Sequence, residues 1–215
     1  MYKKKPFFIV FEGVEGCGKS FQSKKLYRKL KKHNVDTILT REPGGTKSSE
    51  LIRNLILKDY FNKKSKEKFD KYTDTLLYLA ARNEHVKNKI RPALLKKKIV
   101  ICDRFTDSTI AYQVYGKKVD LNFIDHIHKK ILNGLKPNLV FILKVSEKSS
   151  RERLKKRKTK NRYDNFAQSF YTKAQKSFIK LSKNKKNYFV LNSSFNNDML
   201  ENKIFNIANR YLNIK

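Results

Sequence analysis

Tryptophan is absent from this 215-residue chain, and cysteine, proline and glycine are scarce at two, four and seven residues. Two cysteines, Cys17 and Cys102, are too few for a disulfide framework, and free thiols suit an intracellular, cytoplasmic protein. No Pro- or Ser-rich linker, internal repeat or shift in composition divides the chain, so residues 1–215 are expected to form one domain. No apolar run approaches the roughly 18 residues of a membrane span, and no membrane partner is expected. The opening MYKKKPFFIVFEG places basic residues before apolar ones. Its apolar part is too short for a secretion signal and runs directly into a glycine-rich motif, so it is read as part of the fold.

Acidic residues are few as well. Nineteen Asp and Glu face 51 Lys and Arg, a formal net charge of +32. With 39% hydrophobic residues, 15 Phe and 11 Tyr, the chain is nonetheless no disordered polycation. Such a basic excess usually points to nucleic acid or an anionic membrane. Here 40 Lys stand against 11 Arg and are accompanied by 19 Asn, a joint inflation that reads as compositional bias spread over the surface. The lysines lie in short runs at 3–5, 96–98 and 183–186 with no basic tail, and a nucleic-acid partner is not expected.

Along the chain, short apolar runs alternate with helical patterns. Strands are expected at Phe7–Glu12, Thr37–Thr40, Ile99–Cys102, Leu139–Leu143 and Tyr188–Leu191. Between them lie a helix from about Lys19 to Lys32 and one capped by Thr46 or Ser48 carrying Leu51, Ile52, Leu55 and Ile56 on one face. A long helical stretch follows from Tyr72 to Lys97, which Pro92 should kink or restart. Continuously apolar strands separated by helices imply a parallel sheet covered on both faces. The fold expected is α/β, doubly wound, with a five-stranded parallel sheet.

Gly13-Val14-Glu15-Gly16-Cys17-Gly18-Lys19-Ser20 fits GxxxxGK[ST] at every fixed position, directly after a strand and before a helix. Glycines let backbone N–H groups approach phosphate oxygens without a Cβ in the way, and the helix N-terminus adds partial positive charge. Lys19 would reach the β- and γ-phosphates, and Ser20 would ligate Mg²⁺. The motif implies a nucleoside triphosphate as one ligand. Ile99-Val-Ile-Cys-Asp103 is an apolar strand ending in a carboxylate, placed to hold Mg²⁺ directly or through water, or else to cap a turn.

Arginine carries the second signal. Its planar fork grips phosphate with paired donors where lysine offers a point charge. In a chain that uses lysine nearly four to one, eight of the 11 arginines fall at 41, 53, 82, 104, 151, 153, 157 and 162, within or near the motifs. The shared segments are FEGVEGCGKS at 11–20, TREPGGT at 40–46, LLYLAARNEHV at 76–86 and VICDRFTDSTIAYQ at 100–113, followed by an arginine-bearing segment with Arg153, Arg157 and Arg162-Tyr163. Together, in this order and spacing, they resemble a bacterial-type thymidylate kinase, a phosphate-loop nucleoside monophosphate kinase that makes dTDP from dTMP and ATP.

The resemblance implies roles residue by residue. Arg41, Arg53 and Arg104 would hold the dTMP phosphate, Arg82 would hydrogen-bond the thymine edge, and Tyr78 would stack on the base. Ser108, Tyr112 and Gln113 would line the same pocket, and Glu15 would accept from the sugar 3′-hydroxyl. It also implies Mg²⁺ with ATP, a homodimer, and a small helical lid at about 148–165. The family places an essential arginine either in the phosphate loop or in the lid. Because position 16 is glycine, the lid is expected to supply it, Arg157 first and Arg153 second, unless SRERLKKRKTKNR is only a solvated basic helix. Lys19, Arg157, Arg153, Asp103 and Arg104 are thus the catalytic candidates.

Three departures from the family pattern stand out. Val114-Tyr115-Gly116-Lys117-Lys118 replaces a Gly-rich stretch ending in Arg, Phe21 replaces a small hydroxyl residue, and Asn161 stands where Asp is common. His33, His85, His126 and His128 show no ligand spacing and are read as surface or packing residues. Two other functions share these features: a kinase of another nucleotide or a deoxynucleoside, and a nucleotide-regulated nucleic-acid-binding protein. A panel of acceptors separates the first, and tight binding to nucleic acid above physiological salt would favour the second.

Overall fold

The computed structural model describes residues 5–58, 67–157, 168–194 and 198–214. Five strands, β1 (Phe7–Glu12), β2 (Thr37–Arg41), β3 (Ile99–Asp103), β4 (Leu139–Lys144) and β5 (Tyr188–Asn192), form one all-parallel sheet in the order β2-β3-β1-β4-β5. Each parallel step needs a crossover, and helices supply them: α1 (Lys19–Lys32), α2 (Lys47–Leu57), α3 (Lys71–His85), α4 (Arg91–Leu95), α5 (Thr106–Thr109), α6 (Leu121–Leu132), α7 (Glu147–Lys155), α8 (Gln168–Ser182) and α9 (Asp198–Leu212). The doubly wound α/β expectation holds, with strand bounds matching to within a residue.

Strand β1 is central, with Phe7↔Ile99 and Phe11↔Asp103 in register on one side and Val10↔Val140 on the other. All of its residues are buried, which is why FFIVFE is unbroken by the polar alternation of a one-sided sheet. Aromatic pairs tie its two faces to the neighbours: Phe8 meets Phe105 edge-on at 5.0 Å, and Phe11 meets Phe141 at 5.1 Å. The register brings the C-terminal ends of β1, β2 and β3 level, so Glu12, Arg41 and Asp103 emerge at one edge of the sheet. Strand order reverses around β1, and a crevice opens there.

Two helices depart from expectation. The stretch 72–97 is not one helix: α3 ends at His85, a π-helical turn covers Val86–Ile90, and α4 begins at Arg91. Pro92 lies in the first turn of α4, where its missing N–H needs no partner, and the irregularity is absorbed just upstream. On α2, capped by Thr46 and Ser49 as a reciprocal box, the expected apolar face divides. Ile56 is buried, whereas Leu51 is 69% exposed and Leu55 43% exposed. Residues 51 and 55 share one stripe, about 100° around the helix from 52 and 56. α3 packs against α2 and also exposes apolar side chains, Tyr72 and Leu76.

Candidate active site

The phosphate loop leaves β1 at Gly13 and enters α1 at Lys19. Gly18, at φ +90°, is the residue before the helix, and no side chain caps it, so the first amides of α1 stay open to an anion. The loop's carbonyls are held from outside. Ser150 Oγ donates to Glu15 O at 2.9 Å, Arg153 Nη1 to Gly16 O at 3.2 Å, and Ser193 Oγ to Cys17 O at 2.8 Å. Lys19 Nζ is tucked beneath the loop, donating to Val14 O at 2.7 Å. Gly16 has φ +71°, and a Cβ built there would lie 2.8 Å from Ser150 O. α7 therefore packs against position 16 too closely for any side chain.

Arg153, the second choice for a lid arginine, is a brace in this geometry. Its Nη2 donates to Ser193 O at 2.7 Å and to Ser194 O at 3.2 Å, so the guanidinium joins the loop to the end of β5. It does not line the crevice. Arg157 does, together with Lys19, Ser20 and Asp103. Of the expected lid, residues 158–165, with Asn161, Arg162 and Tyr163, lie outside the described residues.

The crevice gathers the expected acceptor residues: Glu15, Arg41, Arg53, Tyr78, Arg82, Arg104, Ser108, Tyr112 and Gln113. It also contains Glu42, Pro43, Leu57 and Thr109, which the sequence reading did not single out. Arg104 adopts φ +73°, a left-handed conformation costly for a side chain of this size, and the turn aims its fork back across β1. Nη1 donates to Gly13 O (2.9 Å) and Ser108 Oγ (3.1 Å), and Nη2 pairs with Glu15 at 2.7 Å. Burial raises the Glu15 carboxyl, but Arg104, Lys19 and the Tyr112 phenol outweigh it and hold the group below its ordinary value. Tyr112 OH donates to the second Glu15 oxygen.

Arg82 differs most from expectation. It is buried, and its guanidinium makes four hydrogen bonds and one ion pair with protein groups. Nε donates to Glu42 Oε2 at 2.8 Å, Nη1 to Thr109 Oγ1 and His128 Nε2 at 2.7 Å each, and Nη2 to Phe105 O at 2.8 Å, while Nη2 also stands 2.7 Å from Glu42 Oε2 as an ion pair. Arginine has no acceptor, so His128 Nε2 must be unprotonated. Burial and the Arg82 charge push that imidazole down to about 3, which keeps it neutral. His85, fully buried, bridges Glu42 Oε1 at 3.1 Å and Thr40 Oγ1 at 2.7 Å. His85 and His128 are thus packing residues of a polar kind. Their pairings span 43 and 46 residues and leave no trace in local spacing.

Ser20 Oγ donates to Asp103 Oδ2, while Asp103 Oδ1 is buried with no hydrogen-bond partner among the described residues. A buried orphan carboxylate oxygen beside a hydroxyl is a hard-donor set that suits Mg²⁺. No group of three or more His, Cys, Asp or Glu able to hold a metal occurs among the described residues, so ligands from a nucleotide would have to complete the shell. Beyond Gln113, where the family pattern is broken, the chain forms a π-helical turn (Ile110–Gly116) anchored by a 2.6 Å ion pair between Lys117 and Asp74.

Glu12, at the end of β1, accepts from Phe105 N (2.8 Å), Ser108 N and Ser108 Oγ (2.6 Å). Burial, and then the nearby Asp107 charge, raise its carboxyl from 4.5 to about 7. Between those values the folded chain binds more protons than the unfolded one, so stability falls as pH rises from about 5 to 7. Glu12→Gln is expected to flatten that fall in urea unfolding compared at pH 5 and 7. An identical slope in variant and parent would remove Glu12 as its source.

The family model described as thymidylate kinase matches residues 11–204. The chain belongs to the thymidylate kinase family. A thymidylate kinase of Aster yellows witches'-broom phytoplasma is 40% identical over 209 residues, covering 95% of this chain and 96% of that protein. One from the Wolbachia of Brugia malayi is 42% identical over 179 residues, covering 82% of each. Among solved structures, thymidylate kinase from Ehrlichia chaffeensis matches with a TM-score of 0.74 and 30% identity, over 95% of this chain and 99% of that one. The match to the family runs through all the segments that build the crevice, from β1 to α9.

Proposed function

We propose that the chain transfers the γ-phosphoryl group of ATP to dTMP, giving ADP and dTDP. One observation carries this reading beyond family membership: a single crevice joins a triphosphate end, Lys19, Ser20 and Asp103, to an arginine-lined end, Arg41, Arg53 and Arg104, with Arg157 reaching into it.

At the donor end the loop amides and Lys19 bind the β- and γ-phosphates, with Gly13, Val14, Glu15, Gly16, Cys17, Gly18 and Ser20 supplying the backbone wrap. Ser20 and Asp103 would hold Mg²⁺, directly or through water, and the ion would supply charge screening at the β- and γ-phosphates. At the acceptor end Arg41, Arg53 and Arg104 hold the dTMP phosphate. Tyr78 stacks on thymine, Ser108, Tyr112 and Gln113 wall the nucleoside, and Glu15 accepts from the 3′-hydroxyl. A dTMP phosphate oxygen forms the new P–O bond as the bond to the β,γ-bridging oxygen breaks. The acceptor is already anionic, so no strong general base is required. Arg157 neutralises charge on the transferred group, in a lid segment that spans about 148–165.

Arg82 enters this reading in revised form. With most of its donors spent on protein partners, it shapes the base pocket through Thr109 and Glu42. A homodimer fits the apolar side chains that α2 and α3 expose, Leu51, Leu55, Tyr72 and Leu76.

The test is ADP release with Mg·ATP and equal concentrations of dTMP, dUMP, UMP, CMP, AMP and GMP. Strong preference for dTMP with dUMP trailing is the expected result. Activity centred on another monophosphate would discard the acceptor assignments while leaving the donor end intact.

A further inference from the structure

Glu50, in the first turn of α2, lies behind the acceptor arginines. Its two oxygens receive both hydrogen bonds of Arg41 Nη2, at 3.0 and 3.1 Å. Gly45 N–H donates to Oε1 at 2.9 Å, and Arg53 Nε stands 3.9 Å from Oε2. The carboxylate is seated against the turn itself: a Cβ at Gly44, where φ is +124°, would come within 2.5 Å of Oε1. One side chain therefore faces two of the three arginines assigned to the acceptor phosphate and the glycine turn that follows Arg41.

The consequence lies in which donors remain. Arg41 gives Glu50 only its Nη2; among the described residues its Nη1 and Nε have no hydrogen-bond partner, and the side chain lines the crevice. Arg53 is anchored on the protein side by Nη1 to Pro43 O. Each guanidinium is thus fixed by one edge and offers another. Two such cations side by side repel: besides burial, the Arg41 charge lowers the Arg53 pKa, and the Glu50 charge opposes that effect. Arg41 is also more than half exposed, so without a tether it would spend its time in water.

We infer that Glu50 is a positioning residue that aims Arg41 and Arg53 at the 5′-phosphate of the acceptor nucleotide. The inference rests on the acceptor reading above and extends it to a residue that never touches the phosphate. An exposed ion pair of this kind contributes little to folding, so loss of the carboxylate should leave stability almost unmoved. Its effect is confined to ligands that carry the phosphate.

Binding of dTMP and of thymidine to the whole protein, measured by calorimetry without ATP, separates these roles. Glu50→Gln keeps an oxygen for Gly45 N–H but cannot accept two bonds from Arg41. It is expected to weaken dTMP by about tenfold, a loss of the size that charge-assisted bidentate contacts carry, while thymidine affinity stays within about twofold of the parent. Glu50→Ala should give the same pattern, with a melting temperature close to the parent in both. Unchanged or tighter dTMP binding would overturn the inference, as would equal weakening of thymidine, which would make Glu50 a general support of the pocket. A parent protein that binds neither ligand would remove the acceptor reading, and this inference with it. A parent that binds dTMP through a variant-insensitive site removes this inference alone.

Discussion

Arg157→Ala is expected to lower turnover by about 10³-fold while dTMP affinity, measured by calorimetry, changes less than about threefold. The magnitude is that of a charge-neutralising arginine removed from phosphoryl transfer. Arg157 follows α7 directly, its backbone N–H closing on Leu154 O at 3.1 Å, and its side chain enters the crevice near Lys19 and Asp103. The loop cannot take over the task, because α7 fills the space beyond Gly16. Nor does Arg153 stand ready, with its fork spread over three carbonyls. Turnover within about threefold of the parent would move the role elsewhere, to Arg162 first.

Arg82→Ala is expected to be the most destabilising of the substitutions considered, by about 3–5 kcal/mol. Removing the guanidinium leaves Glu42 as a buried carboxylate whose remaining partner of note is His85, and it orphans Thr109, His128 and the Phe105 carbonyl together. Glu42 is held below its ordinary pKa because Arg82 first, then His85, outweigh its burial. For a chain of this length such a loss lowers the melting temperature by roughly 10 °C. In the surviving folded protein, dTMP binding should fall further than ATP binding, since the collapse lies under the base pocket. An unaltered melting temperature would mean that the network reorganises without cost and that Arg82 acts on the nucleotide alone.

Sequence reading went furthest where local chemistry decides structure. Glycines in a GxxxxGK[ST] frame between an apolar run and a helix can do little else, and the loop stands where that frame implies. Continuous burial of FFIVFE, IVICD and LVFIL is equally legible, because a strand covered on both faces has no polar alternation to hide. The failures are tertiary. Nothing near Arg82 in the chain says that a carboxylate 40 residues earlier and an imidazole 46 residues later will consume its donors. The same holds for Arg153, which reads as one more basic residue of a charged helix until Ser193 and Gly16 arrive beside it. On α2 the sequence puts Leu51, Ile52, Leu55 and Ile56 on one face, but which of them turn inward depends on α3, not on α2 itself.

The contact between α7 and the phosphate loop also bears on how this enzyme can change over generations. Moving the cation proposed at Arg157 to position 16 is not a single step: an arginine introduced at 16 meets the Ser150 backbone before it meets a nucleotide. The backbone of α7 must retreat first, and that retreat breaks the Ser150 and Arg153 bonds that hold the loop. Either order of substitution passes through an intermediate with a loosened loop. Packing at Gly16 therefore holds this chain to its present arrangement, whatever the rest of the lysine-rich surface does.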